Sequence, residues 1–209
     1  MTILKFQIFY NGQEHYDNKL VTYNDETNEW KIEKTEFNTG VFGNFWPHKK
    51  SRVNQKNLDI KYSINQKEYV FTSSEVAFQA SKCQNAEDII QFTDKNLHSG
   101  DSFRKGRRVL LRNDWEDVKT NVMIDILTCK FTQFDDLREI LLSTEDSYMI
   151  EHTPIKGRDK FWADDNDGTG QNNLGLCLMT VRKNIGGKSP NKKCKTLLPN
   201  LYEFLKTNL

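Results

Sequence analysis

Apolar and polar positions first alternate and then switch to a helical period along this chain. Leu4, Phe6, Ile8 and Tyr10 alternate with Lys5 and Gln7, as a half-buried strand does, with Phe9 breaking the pattern on the polar side. Leu20–Tyr23 and Glu29–Ile32 are weaker strand candidates, and Asn11-Gly12 and Asn24-Asp25 are turn signals. Leu58–Ile64 and Glu68–Phe71 bracket Asn65-Gln66-Lys67, a pattern that predicts a hairpin. The period then changes. Thr72, Ser73 and Ser74 offer helix N-caps, Glu75 falls in the first turn, and Val76, Ala77, Ala80 and Cys83 place apolar groups at helical spacing. Further helices are expected over Ala86–Lys95, Ser102–Leu111, Trp115–Lys130 and Asp135–Ser143, with a short strand at Tyr148–His152. Asn173–Ile185 returns to a helix with Leu174, Cys177, Leu178 and Val181 on one face. Gly186-Gly187 ends it, and a basic linker, Lys188–Lys195, follows. Leu197, Leu198, Leu201, Phe204 and Leu205 then predict a C-terminal amphipathic helix docked on the body.

Two stretches have no period. Phe42–Pro47 (FGNFWP) reads as an irregular aromatic loop. Residues 153–173, rich in Gly, Asp and Asn, read as a long loop of the kind that often carries function. The fold class that results is α+β: a predominantly helical single domain with a few short strands. Residues 1–35 are expected to be a strand-like N-terminal extension, 36–186 the catalytic domain, and 187–209 the basic linker and C-terminal helix.

Composition changes this picture only by exclusion. The 209 residues carry a net charge of +1, with 28% charged and 36% hydrophobic residues, so no global field draws the molecule to nucleic acid or anionic membranes. Cys83, Cys129, Cys177 and Cys194 form no C-x-x-C pair, so neither a disulfide framework nor a zinc site is expected and a reduced compartment fits. His15, His48, His98 and His152 show no metal-binding spacing. No stretch reads as a signal peptide, and no apolar run approaches the roughly 20 residues that cross a bilayer. A cytoplasmic protein is expected, nuclear localisation being open to a eukaryotic one. No membrane contact, metal or cofactor is expected.

Three constellations are candidates for chemistry. Glu75, Gln79 and Lys82 fall on one face of the predicted helix, so a carboxylate, an amide and an amine would share either a cleft or a merely solvated face. In the late loop, Trp162 has no obvious core to fill and could stack on a ring, and Asp159 could serve as acid, base or acceptor for a ribose hydroxyl. The acidic run Asp164–Asp167 lacks the spacing and closing Glu of a calcium loop, and Gly168-x-Gly170 is a weak phosphate signal. Arg104, Lys105, Arg107 and Arg108 surround Gly106, reading either as a phosphate site or as an exposed basic helix face.

An ordered series of short matches resembles the NADAR (YbiA-like) superfamily from about Phe37 to Ile185. Asn44-Phe45 with Trp46-Pro47 resembles its aromatic opening loop, and Thr72–Glu75 with Phe78-Gln79-Ala80 and Lys82 resembles its S-E-H-Y-F-Q-A-x-K helix. Gly106-Arg107, Leu111-Arg112 to Trp115, Met123, Leu127 and Lys130-Phe131 follow in order. Leu141-Leu142 with Thr144, Glu151-His152, Asp159 and Trp162 come next, and Gly170-x-Asn172-x-Leu174-Gly175 with Leu178-Met179 and Arg182 closes the series. Val76-Ala77 replace the family's His-Tyr, Gly43 its Ser, and Ala163 the Gly after its Trp.

The resemblance implies an N-glycosidase that breaks the bond between ribose C1 of ADP-ribose and an exocyclic amine. Its implied partner is ADP-ribosylated guanine in DNA, RNA or nucleotides, with functional pairing to an ADP-ribosyltransferase and a role in reversing ADP-ribosylation of DNA. Early riboflavin-pathway intermediates are the alternative substrates, and a non-catalytic ADP-ribose reader is the alternative class. Under this reading either Lys82 is the nucleophile of a Schiff-base route with Glu75 shuttling protons, or water displaces the amine directly through an oxocarbenium-like state with Glu75 as the base; Asp159 assists proton transfer or holds a ribose hydroxyl. Trp162 and Phe45 would sandwich the ring, Asn44 and Asn172 hydrogen-bond sugar or base, and Arg107 take phosphate. Gln79 and Gly170 complete the expected binding set.

Overall fold

The computed structural model describes residues 2–10, 19–47 and 58–208. The Asn11-Gly12 turn, His15 and His48 lie outside the described residues. The chain forms two compact units, Met1–Gly43 with Glu139–Leu209, and Asn44–Arg138. The α+β class with helices in the majority is what the sequence pattern predicts.

The first unit is built on a four-stranded sheet. β1 (Ile3–Tyr10) pairs antiparallel with β2 (Lys19–Asn24), which pairs antiparallel with β3 (Glu29–Lys34). On its other side β1 runs parallel to β6 (Tyr148–His152), Ile8 facing Ile150. The position of β1 inside the sheet explains Phe9. From Phe6 to Tyr10 every residue of β1 is buried, so both faces are covered and alternation is lost there, as in any doubly covered strand. Phe9 packs edge-on against Phe42, 5.7 Å between ring centres. The outer edge, β3, carries Glu29, Lys31, Glu33 and Lys34 exposed, a charged edge that resists pairing with other chains. Three helices flank this sheet's strands in sequence: α6 (Asn173–Asn184), α7 (Lys192–Thr196) and α8 (Leu198–Asn208). α6 lies so close to β6 that a side chain at Gly175 would sit 2.3 Å from the Met149 carbonyl. The stretch expected as a linker contains α7, because Asn191 caps it by accepting the Lys193 N–H at 3.1 Å.

The second unit holds the hairpin β4 (Ile60–Ile64) and β5 (Lys67–Phe71). Asn65 and Gln66 both take positive φ, 51° and 64°, the two left-handed residues that a tight hairpin turn requires. α1 (Ser74–Ser81), α2 (Ala86–Ile90), α3 (Ser99–Gly106) and α4 (Trp115–Gln133) follow. α4 buries Met123, Ile126, Leu127, Lys130 and Phe131, a stripe at helical spacing. α2 stops five residues short of expectation. Thr93 Oγ1 donates to the Ile90 carbonyl and the Asp94 carboxylate accepts the Asn96 N–H, so short polar side chains compete with the helix. α3 ends at Gly106 because the chain there joins Lys82–Gln84, with a Cys83–Leu111 bridge. α5 (Asp135–Ser143) carries the chain from the second unit back into the first.

Candidate active site

In the second unit, Ser73 caps α1 by accepting the Val76 N–H at 3.2 Å. This starts the helix so that Glu75 occupies its first turn and Gln79 the next, with Lys82 at the C-cap. The face they share is not a solvated one: Glu75 is 4% exposed and Gln79 2%. Gln79 Nε2 donates to Glu75 Oε1 at 2.6 Å, and the Glu75 N–H donates to the Asn44 carbonyl at 3.0 Å. The far side of the Gln79 amide rests on Gly106, where a Cβ would lie 1.9 Å from Gln79 Oε1. Only a residue without a side chain leaves room for this glutamine.

Lys82 is half-buried, with its ammonium 5.5 Å from the Phe78 ring centre and 5.8 Å from that of Trp115. Burial pulls its pKa below the ordinary lysine value. The Glu75 charge opposes that shift, and the Arg107 guanidinium reinforces it. Its backbone is fixed because the Arg112 N–H donates to the Lys82 carbonyl at 2.9 Å and the Gln84 N–H to that of Leu110 at 3.0 Å. A loosely held proton on a rigidly placed amine is what a lysine nucleophile needs.

Phe45 is half-buried, its carbonyl accepting from Ser99 Oγ at 3.2 Å and its ring 6.0 Å from Phe103. The exposed Arg107 guanidinium lies 4.5 Å over Phe103, so Phe45, Phe103 and Arg107 form a row from aromatic to cationic. Among the described residues, Asn44 Oδ1, Trp46 Nε1 and Ser74 Oγ are buried with no hydrogen-bond partner. Buried polar atoms are nearly always bonded, so these three, along the Asn44–Trp46 loop and at the start of α1, are exceptions.

One residue there was given no role from sequence. Lys130 on α4 is fully buried, its ammonium 5.7 Å from the Trp46 ring centre and 5.2 Å from that of Phe131, and burial brings its pKa down to about 7. The signal was legible: a lysine on the stripe of Met123, Leu127 and Phe131 occupies a core position.

The other expected residues, Asp159, Trp162, Gly170 and Asn172, are gathered in the Thr153–Asn172 loop of the first unit. Asp159 Oδ1 accepts the Phe161 and Trp162 N–H groups at 3.2 and 2.8 Å, so it shapes the turn that presents Trp162. Trp162 is half-buried, packed edge-on to Phe161. Gly170 is where the loop doubles back: a Cβ would sit 2.3 Å from the Ala163 carbonyl. The returning arm zips to the outgoing one through Gln171 N–H to Lys160 O, Asn172 N–H to Ala163 O, Asn173 N–H to Phe161 O and Leu174 N–H to Trp162 O. Asn172, at φ 52°, accepts the Glu151 N–H and donates Nδ2 to Met149 O, both at 2.9 Å. Its amide thus bonds two alternate residues of β6 as a neighbouring strand would. Asn172 and Gly170 hold the loop in place. The loop's hub is Asp164, the first residue of the acidic run. Its carboxylate accepts from His152 Nδ1 at 2.6 Å and from the Thr153 and Asn166 N–H groups at 3.0 Å.

The basic segment is partitioned. Lys188 lies 3.6 Å from Glu145 and Lys193 2.6 Å from Asp25. Lys192 and Lys195 instead line, with Lys183, Leu176, Met179 and Pro190, a groove of about 360 Å³.

Among known proteins, a family model described as the NADAR domain matches residues 30–186. The chain is 32% identical over 176 residues to the chloroplastic riboflavin biosynthesis protein PYRR of Zea mays, covering 79% of this chain and 26% of that protein. It is 31% identical over 150 residues to the N-glycosidase Npun_R5314 of Nostoc punctiforme, covering 70% of this chain and 85% of that one. The NMR structure of the E. coli protein YbiA superposes with a TM-score of 0.58 at 25% identity, over 86% of this chain and 84% of that one. The chain therefore spans about a quarter of the maize relative's length and most of the cyanobacterial one's. The NADAR match covers most of the chain and takes in Glu75, Gln79 and Lys82, so the chain belongs to the NADAR domain family.

Proposed function

We propose that this chain is an N-glycosidase that hydrolyses the bond between ribose C1 and an exocyclic amine nitrogen, with ADP-ribosylated guanine in nucleic acid or nucleotides as its substrate. The observation that carries the reading is the α1 face: a buried carboxylate braced by Gln79, and on the same helix an amine whose proton burial loosens. The name of the Nostoc relative supports the reaction class.

In such an aminal the C1–ring-oxygen bond opens, the oxygen leaving as a hydroxyl and the nitrogen lone pair forming an imine at C1. Neutral Lys82 adds to C1, Glu75 carries a proton from the attacking amine to the departing nitrogen, and the base leaves as a free amine. Water then hydrolyses the lysine imine, releasing the sugar and restoring Lys82. The sum is glycosylamine plus water giving sugar plus amine. Asn44, Phe45 and Arg107 are the binding side chains on this unit, for sugar, ring and phosphate. On the loop, Trp162 and Asp159 are assigned ring and hydroxyl recognition, with Asn172 and Gly170 as supports. Lys183, Lys192 and Lys195 are assigned backbone phosphates of a nucleic-acid substrate, as point charges suited to that anion.

The test is to incubate the protein with guanine-ADP-ribosylated DNA and follow free ADP-ribose. Borohydride added during turnover is expected to trap a sugar on Lys82. Absence of an adduct removes the imine route, full turnover by Glu75→Gln removes Glu75 from the chemistry, and tight ADP-ribose binding without any product replaces the enzyme by a reader. A second reading is favoured by the name of the maize relative: phosphoribosylated amines of riboflavin biosynthesis share the same amine-linked C1. Side-by-side kcat/KM values on the two substrates decide between them.

A further inference from the structure

We propose that the C-terminal helix α8, which lies beyond the NADAR match, is a built-in clamp that holds the Thr153–Asn172 loop in shape, with Tyr202 as the positioning residue. The inference rests on reading that loop as part of the site.

Gly168, near the loop's tip, has φ +82°, and a Cβ there would fall 2.4 Å from two ring carbons of Tyr202. The ring is therefore seated directly on a glycine in the left-handed region that only glycine adopts without strain. Tyr202 is itself buried, beside the Asp164 carboxylate. Burial together with the adjacent Asp164 charge pushes the phenol far above its ordinary pKa, so it stays neutral at any physiological pH. Asp164 is the hub already described: its carboxylate holds His152, Thr153 and Asn166, and its carbonyl accepts the N–H groups of Gly168 and Gly170, both at 3.0 Å. Tyr202 thus packs on the tip of the returning arm and lies beside the centre that organises it. Because that arm is zipped to the outgoing one at Trp162 and Ala163, a shift at Gly168–Gly170 is transmitted to the backbone of Trp162.

The helix that delivers Tyr202 is anchored on its other side. Phe204 stacks on Trp30 of β3 at 5.6 Å, and Leu201 and Leu205 are buried. Trp30 packs in turn on Phe6 and Tyr23. The route runs from the sheet through the aromatic stack to α8 and into the loop, all within one unit.

The experiment uses the full chain with Tyr202→Phe, which removes only the hydroxyl, and Tyr202→Leu, which removes the ring. Hydrogen–deuterium exchange of the Gly168 and Gly170 amides is compared with that of α4 amides in the other unit. Tyr202→Phe is expected to speed exchange at both glycines about tenfold and Tyr202→Leu more, with α4 unchanged. In turnover, KM is expected to rise at least as much as kcat falls, because the loop binds rather than reacts. Unchanged glycine exchange in Tyr202→Phe, or equal acceleration throughout the protein, overturns the clamp. If the wild type hydrolyses no amine-linked ribose, the glycosidase reading fails while the exchange result still decides the clamp.

Discussion

Replacing Lys130 by methionine tests the central physical claim about the second unit: that it keeps an ammonium-forming side chain where water cannot reach it. A lysine with a pKa of about 7 in the folded chain and 10.5 in the unfolded one prefers to be neutral when folded. The sign follows from linkage. The unfolded state binds the extra proton, so folding is penalised progressively as pH falls from 10.5 towards 7, and the penalty is constant below that. At about 1.4 kcal/mol per unit, the full penalty at neutral pH is about 5 kcal/mol as an upper bound. Lys130 makes interactions of its own that methionine forfeits, including the rings of Trp46 and Phe131. Methionine has a similar length and adapts to irregular cavities. The net expectation is a Lys130→Met protein more stable than wild type by about 1–3 kcal/mol at pH 7, with the gap closing as pH approaches 10.5. Urea unfolding of both proteins from pH 6 to 10.5, with m-values checked for constancy, measures this directly. A gap that stays flat between pH 7 and 10, or a variant less stable than wild type at pH 6, would refute the argument. That the native chain retains so costly a residue beneath the Asn44–Trp46 loop is itself consistent with a functional demand there.

The other predictions concern the site's supports and its charges. Gly106→Ala pushes a methyl into the Gln79 amide, so it should cost about 1–3 kcal/mol of stability and lower kcat at least tenfold (~1.4 kcal/mol) by releasing Glu75; calorimetry and steady-state kinetics check both. Asn172→Ala removes two hydrogen bonds to β6, which should cost about 1–3 kcal/mol and raise exchange at the Glu151 amide, while leaving exchange in α1 unaltered. For the wild type, kcat/KM should rise with pH along a limb set by Lys82 below the ordinary lysine value, since the neutral amine attacks; a rate that falls across that limb contradicts the nucleophile assignment. The triple change of Lys183, Lys192 and Lys195 to Ala should flatten the salt dependence of binding to ADP-ribosylated single strands by about 2 in log–log slope, at roughly 0.7 per phosphate contact. An unchanged slope removes the groove from substrate binding.

Much of this was legible in the chain because it depends on neighbours in sequence. The capping serine and the i, i+4, i+7 spacing place Glu75, Gln79 and Lys82 on one face whatever the rest of the protein does. The paired turn residues Asn65-Gln66 specify the hairpin, and the alternation from Leu4 specifies a strand. What sequence spacing leaves open is whether a face meets water or protein, and here packing alone decided. α1 proved wholly buried, which turned an ordinary polar triplet into a carboxylate–amide pair beside an amine of lowered pKa. Phe9 was out of pattern only because β1 lies inside the sheet, covered on both faces.

The long-range supports were invisible for the same reason. Gly106 matters because of an amide 27 positions earlier, and Gly168 because of a ring 34 positions later. Asn172 and Asp164 look like candidate ligand contacts in a polar loop, yet their side chains are taken up by the backbone of β6 and of the loop itself. Local rules set which residue types share a helix face or a turn. Desolvation, close backbone approach and the satisfaction of buried polar atoms exist only once distant segments meet, and these are what separate the candidate residues that share a buried face from those that hold the scaffold.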